Sequence, residues 1–125
     1  MEIKRLVFNP FRENTYVAWD DTKECVIIDA GNASAREDRV LADFIAEQGL
    51  NPVMAINTHC HFDHILGVEY LRETYGAKFA ASSADNAIML GSKSHCAMFG
   101  LEVGALPETI DIDLASTEEL HFGNT

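Results

Sequence analysis

Short apolar segments alternate with longer amphipathic segments along the chain. The short ones are rich in apolar, aromatic and β-branched side chains and predict strands. They fall at residues 5–11, 15–19, 24–28, 53–56, 78–81, 110–114 and 120–122. Segment 53–56 is so short and apolar that it predicts a fully buried strand. Segment 110–114 alternates apolar and acidic residues, which is typical of a strand with one solvent-facing side.

Helical periodicity separates several of these strands. Apolar side chains recur on one helical face in segments 36–48, 65–75 and 84–90. Ser34 and Glu37 form a capping-box pattern before the first helix, and Gly49 is placed to end it. Residues 91–107 are less regular and predict a loop with one helical piece. The alternation of strands and helices predicts one α/β domain over residues 1–125, with helices packed on a sheet.

Composition and charge narrow the possible partners. The formal net charge is −11, and no Lys or Arg occurs from Ser94 onward. Nucleic-acid binding needs a basic surface that displaces phosphate counterions, so nucleic acid is excluded as a partner. The three cysteines are widely spaced and odd in number, so no disulfide is expected. The chain shows neither a signal-peptide pattern nor an apolar run long enough for a membrane span, so we expect a cytoplasmic protein with no membrane partner.

Four metal-binding side chains crowd into one short segment after the buried strand. His59, His61, Asp63 and His64 lie within six residues, and imidazole and carboxylate are ligands that Zn²⁺ prefers. In extended backbone, residues two apart point to the same side, so His59 and His61 can converge on one ion. Asp63 and His64 then fall where the chain turns into the next helix. The spacing therefore favours two ion sites with two ligands each from this segment.

Simpler roles exist for each of these residues taken alone. Asp63 could cap the helix predicted to follow it, and a lone histidine is more often a core or surface residue than a ligand. Only the combination of four favours metal. Cys60 is interpreted as a small buried side chain, and His121 as a residue on a strand surface. A nucleophilic pair of His95 and Cys96 is disfavoured because neighbours in sequence rarely face each other.

At this point the chain resembles the metallo-β-lactamase-fold hydrolases, and within them the glyoxalase II-like (hydroxyacylglutathione hydrolase-like) branch. Segment 58–64 matches the family signature T-H-x-H-x-D-H at every defined position. Segment 14–17 resembles the family's opening strands. Segment 26–31 resembles its apolar strand that ends in Asp-x-Gly. The resemblance implies an αββα sandwich, of which this chain is the N-terminal half: a mixed sheet with helices on one side.

The resemblance also implies roles for individual residues. His59 and His61 correspond to ligands of the first metal, and Asp63 and His64 to ligands of the second. Asp63 is therefore the expected catalytic residue. Asp29 and Thr58 correspond to residues that support the motif loop from behind. Zn²⁺ is the expected metal, in two sites, with Fe or Mn as alternatives.

The family pattern continues beyond what is present here. A third histidine, a bridging aspartate and a last histidine would follow the position of Thr125. The pattern at residues 120–124, a strand and then a Gly-Asn turn signal, also predicts a hairpin without its return strand. We therefore expect a domain truncated before its C-terminal half. Such a half-sandwich would expose an apolar face and self-associate.

Three functions are considered. The resemblance implies a metallohydrolase in which a metal-bridged hydroxide attacks an acyl thioester such as an S-acyl-glutathione, a small-molecule substrate; this fragment itself is expected to be inactive. The second is a mononuclear-iron persulfide dioxygenase of the same fold. The third is a non-catalytic metal-binding or interaction module made of a half-domain.

Overall fold

Six strands form one mixed sheet in the computed structural model, which describes residues 1–100 and 105–125. They are β1 (Glu2–Phe8), β2 (Glu13–Trp19), β3 (Glu24–Ile28), β4 (Asn51–Ile56), β5 (Lys78–Ala81) and β6 (Ile112–Asp113). The strands lie side by side in chain order. β2 pairs antiparallel with both β1 and β3, whereas β4, β5 and β6 each run parallel to the strand before.

Helices connect the parallel strands, as parallel pairing requires. They are α1 (Ala35–Gln48), α2 (Val68–Tyr75), α3 (Asn86–Leu90) and α4 (Ser92–Met98). The predicted caps of the first helix are confirmed. The Ser34 hydroxyl accepts the backbone N–H of Glu37, and Gly49 ends the helix with a left-handed φ of 65°. None of the helices among the described residues has both the length and the apolar character needed to cross a bilayer.

The main core lies between the helices and one face of the sheet. Its helical members include Leu41, Ile45, Val68 and Leu71, and its strand members include Val17, Ile27, Ala55 and Phe79. The opposite face carries a smaller cluster of Ala18, Val26, Met54 and Ala80. In the described part of the chain, no residue of α1–α4 belongs to this second cluster. The prediction of a mixed α/β sheet with helices on one side is confirmed.

Some predicted boundaries are wrong. The first strand ends at Phe8 instead of residue 11, because residues 9–12 form a turn in which Asn9 and Arg12 adopt φ near +54° and +53°. The helix after the motif begins at Val68 instead of residue 65, because a 3₁₀ turn at Phe62–His64 comes first. Residues 120–122 form no strand and instead pack through Leu120 and Phe122 on the second sheet face. The irregular segment predicted for 91–107 contains α4, and its residues 101–104 lie outside the described residues.

Candidate metal centre

The predicted metal ligands lie at one edge of the sheet, where β3 and β4 end. Asp29 follows β3 directly, and segment 57–64 follows β4. In open sheets with parallel strands, ligands bind at the carboxyl ends of the strands, because the connecting loops converge there. The topology thus places the motif where this architecture usually builds a site.

Asp29 holds the start of the motif. Its Oδ1 accepts the backbone N–H of Thr58 at 2.8 Å, and its Oδ2 accepts the Thr58 hydroxyl at 2.7 Å. Asp29 itself has a left-handed φ of 55°, a strained conformation for a residue with a side chain. Both carboxylate oxygens of Asp29 are therefore engaged in fixing the start of the loop.

Two asparagines that the sequence analysis did not single out also fasten the loop. The buried amide of Asn57 donates to the backbone oxygens of His59 at 3.0 Å and His64 at 2.7 Å, so it ties both ends of the motif together. The Asn9 amide donates to the backbone oxygen of Asp63 at 2.9 Å, so it ties the turn between β1 and β2 to the motif. In the sequence, the only sign of this role was their position directly after strands.

The structure brings the three motif histidines together. The ring centroids of His59 and His64 lie 4.0 Å apart, and those of His59 and His61 lie 4.9 Å apart. Nε2 of His64 lies 3.5 Å from Oδ2 of Asp63. Neighbouring ligands of one ion approach each other closely, so the pairing of Asp63 with His64 is compatible with a shared ion.

The most compact group of ligand atoms differs from the expected pairs. Asp29, His59 and His64 each offer one atom, and these atoms lie within 4.8 Å of one another, whereas His61 and Asp63 lie outside this group. Both oxygens of Asp29 already accept hydrogen bonds from Thr58. We therefore interpret Asp29 as a support of the loop, and the closeness of the group as a consequence of that support.

Glu13 is a further acidic residue at the site, and the sequence analysis missed it. Its side chain is completely buried, and its Oε1 lies 3.2 Å from Nδ1 of His64. Its Oε2 is 2.7 Å from the Thr15 hydroxyl. Glu13, Thr15 and Val17 are the buried alternate positions of β2. A glutamate at an inward position of an alternating strand was therefore a readable signal.

Acidic side chains are concentrated around His64. Burial raises the pKa of Glu13 to about 8, the Thr15 hydrogen bond opposes this shift, and the carboxylates of Asp29 and Asp63 raise the pKa further. Among the described residues, no Lys or Arg forms an ion pair with these three carboxylates. A group of carboxylates and imidazoles without a cationic side chain is the donor set that a divalent cation neutralises.

The side chains between the ligands point elsewhere. Cys60 is buried in the main core, as predicted, and burial raises the pKa of its thiol to about 11. Phe62 stacks on Phe99 and meets Phe11 edge to face. All three cysteines are buried and free. His121 is exposed beside Glu119, in a segment that is not the predicted strand.

Comparison with known families identifies the class of protein that this fold and site define. The sequence model of the metallo-β-lactamase superfamily matches residues 8–123. The chain belongs to the metallo-β-lactamase superfamily. Members of this superfamily bind divalent metals and are mostly metallohydrolases or related enzymes. The resemblance drawn from the T-H-x-H-x-D-H motif is confirmed.

Two curated relatives have different activities. The chain is 35% identical over 100 residues to the mitochondrial persulfide dioxygenase ETHE1 of Mus musculus, a match over 74% of this chain and 38% of the relative. It is 30% identical over 102 residues to the hydroxyacylglutathione hydrolase GloC of Haemophilus influenzae, a match over 81% of this chain and 46% of the relative. The chain thus spans less than half the length of either relative.

A solved structure shows the same fold. The crystal structure of TTHA1623 in a di-iron-bound form superposes with a TM-score of 0.78 at 24% identity, over 93% of this chain and 56% of that one. At this identity the likeness shows the fold alone. The sheet and its helices therefore have the fold of that solved structure.

Proposed function

We propose that the chain carries the histidine-rich part of a binuclear metallohydrolase site that cleaves an acyl thioester such as an S-acyl-glutathione. The observation that carries this proposal is the cluster of three motif imidazoles, of which His64 lies beside Asp63 and two buried carboxyl groups, with no cationic partner among the described residues. The hydroxyacylglutathione hydrolase relative supports the choice of substrate class.

In this proposal His59 and His61 hold one ion, and Asp63 and His64 hold the second. The hydroxyl of Thr58 lies 3.0 Å from Nδ1 of His59, which leaves Nε2 of that ring available as a ligand. Imidazole and carboxylate ligands suit Zn²⁺, and they also bind Fe or Mn. When bound, such ions lower the pKa of a water molecule and polarise the acyl oxygen.

The chain's own residues would position the metal ligands and the attacking water molecule. Asn9 and Asn57 hold the backbone of Asp63 and His64, so the ligands start from fixed positions. The Asp63 side chain remains 24% exposed and can accept a hydrogen bond from an attacking water molecule. We assign Asp63 the catalytic role for this reason.

The site would be incomplete with these residues alone. Each ion receives two protein ligands in this proposal, whereas a catalytic zinc site usually has about three. We propose that residues 1–125 form one part of a longer site, and that the isolated chain has no appreciable thioesterase activity. Turnover by 1–125 at a rate comparable with that of a form as long as its relatives would contradict this.

Metal titration tests the ligand assignment directly. Zn²⁺ would be titrated into the demetallated chain by calorimetry, together with the His59→Ala, His61→Ala and Asp63→Asn variants. We expect each variant to bind at least about tenfold more weakly at one site. His121→Ala is the matched control, because His121 is exposed beside Glu119 and outside the motif. Equal affinity of all five proteins would overturn the assignment.

A persulfide dioxygenase with a single iron is the second candidate, favoured by the 35% identity to ETHE1 of Mus musculus. Hydrolysis and oxygenation differ in metal and in co-substrate. In a form of the protein as long as its relatives, two zinc ions and hydrolysis of S-lactoylglutathione would support the hydrolase. One iron and oxygen uptake with glutathione persulfide would support the dioxygenase instead.

A further inference from the structure

Nδ1 of His64 faces two carboxylates. Oε1 of Glu13 lies 3.2 Å away and Oδ2 of Asp29 lies 3.5 Å away. The other ring nitrogen, Nε2, faces Asp63. The ring therefore has one side toward the candidate ion and one side toward the protein interior.

The two carboxylates differ in what else they bind. Both oxygens of Asp29 accept hydrogen bonds from Thr58. Oε1 of Glu13 and Nδ1 of His64 are both buried and have no hydrogen-bond partner among the described residues. The 3.2 Å between these two atoms is within hydrogen-bond distance. The contact therefore falls short of a hydrogen bond only in the orientation of the ring. Each atom is the best available partner of the other.

The fold makes space specifically for the Glu13 side chain. A Cβ added at Gly31 would collide with the carboxylate of Glu13 and lie 2.9 Å from the backbone oxygen of Asp63. The Thr15 hydroxyl at 2.7 Å fixes the other carboxylate oxygen. The carboxylate is thus held from two sides, with its free oxygen directed at His64.

We propose that Glu13 is a positioning residue that keeps the proton of His64 on Nδ1, so that Nε2 presents a bare lone pair beside Asp63. Carboxylates that hold the far nitrogen of a metal-binding imidazole fix its tautomer and raise its basicity. This inference rests on the proposed metal site, but the tautomer exists with or without an ion and is measurable separately.

Long-range ¹H–¹⁵N correlation spectra of the imidazoles test the assignment in the metal-free chain, at a pH above the Glu13 pKa of about 8, where the Glu13 carboxyl group is ionised. We expect the Nδ1–H tautomer for His64 in the native chain. Glu13→Met, which keeps the length of the side chain and removes the acceptor, is expected to lower the ratio of Nδ1–H to Nε2–H by about tenfold or more. Asp29→Asn, the matched variant of the competing carboxylate, is expected to retain Nδ1–H.

An Nε2–H tautomer in the native chain would overturn the proposal, and this result needs no variant to fold. Loss of Nδ1–H in Asp29→Asn but not in Glu13→Met would overturn it too. In a parallel Zn²⁺ titration, followed by the ¹⁵N shift of His64 Nε2, Glu13→Met is expected to bind about 10–100-fold more weakly. If none of the proteins binds Zn²⁺ while the tautomers behave as expected, the proposed metal function is wrong and the role of Glu13 in fixing the ring stands.

Discussion

At the scale of single residues, the motif is held by close contacts that tolerate little change. Gly31 lies between the Glu13 carboxylate and the backbone of Asp63, and Thr58 and Asp29 share two short hydrogen bonds. These contacts are local, but they join β2, β3 and the motif loop. Substitutions here should therefore affect both stability and the geometry of the site.

Gly31→Ala should destabilise the protein by steric overlap. The added methyl group has to displace the Glu13 carboxylate, so we expect a loss of about 1–3 kcal/mol in the free energy of unfolding. Urea denaturation measures it. Gly76→Ala is the control, because no atom lies within 4 Å of its added Cβ and only its φ of +68° carries a cost, about 1–2 kcal/mol. A loss at Gly31 smaller than that at Gly76 would argue against tight packing of Glu13.

Thr58→Val should loosen the start of the motif. The variant keeps the shape of the side chain but removes the hydroxyl that donates to Asp29. The buried Asp29 carboxylate therefore loses one hydrogen bond. We expect a loss of about 1–2 kcal/mol in thermal or urea unfolding. Thr58→Ser retains the hydroxyl and should lose less than half as much. A loss in Thr58→Ser as large as that in Thr58→Val would mean that the hydroxyl contributes no more than the methyl group, which would contradict the prediction.

At the scale of elements, the site depends on strand ends that converge. Asp29 follows β3 and Asn57 follows β4, and the register of these parallel strands brings the two loops side by side. A similar junction lies near the starts of β5 and β6. Asp111, just before β6, accepts the backbone N–H of Phe79 at 2.8 Å and an N–H of Arg72 at 2.9 Å. This carboxylate connects α2, β5 and the approach to β6.

Stability should depend on pH through Asp111. Partial burial opposes the shift, but the Phe79 N–H and the Arg72 guanidinium together hold the pKa of Asp111 below its usual range. The stabilisation is therefore fully present above the unfolded-state pKa of about 3.9 and is lost as pH falls through the lower folded-state pKa.

The matching experiment compares the chain with Asp111→Asn in urea at several pH values. At pH 7 we expect the variant to be less stable by about 1–2 kcal/mol, a modest figure because the pair is partly exposed. The difference should shrink toward zero in strong acid. A difference that stays constant down to pH 2 would mean that the carboxylate charge is not its source.

At the scale of the whole molecule, the two faces of the sheet are covered unequally. The helices cover one face, while the other carries a small apolar cluster against which Leu114, Leu120 and Phe122 pack. Val53, Ile56 and Ile112 on this face remain partly exposed. The C-terminal segment thus covers part of a surface that the sequence analysis expected to be open.

We predict that residues 1–125 self-associate through this second face, because partly exposed apolar side chains on a sheet favour burial against another copy. Sedimentation velocity over a range of concentrations should show species larger than a monomer. Val53→Lys should shift the distribution toward monomer, whereas Val40→Lys on the exposed surface of α1 should not. A stable monomer of the native chain at every concentration would contradict the prediction.

The sequence by itself determined the parts that depend on local chemistry. The spacing of apolar residues predicted the strands and helices, Ser34 and Gly49 predicted the ends of α1, and the T-H-x-H-x-D-H motif predicted the superfamily. These features follow from side-chain periodicity and backbone preferences within a few residues. The cytoplasmic location and the identity of the metal stay predictions.

Only the tertiary structure decided what surrounds the motif. Glu13 lies 51 positions before His64 in the sequence, and the pairing of β2 with β3 brings it to the ring. Asn9 and Gly31 likewise act through contacts with other segments. The extra 3₁₀ turn and the C-terminal segment on the second face were also missed, because packing against distant residues overrides local preference. A local motif names its ligands, whereas the residues that orient them are selected by long-range contacts.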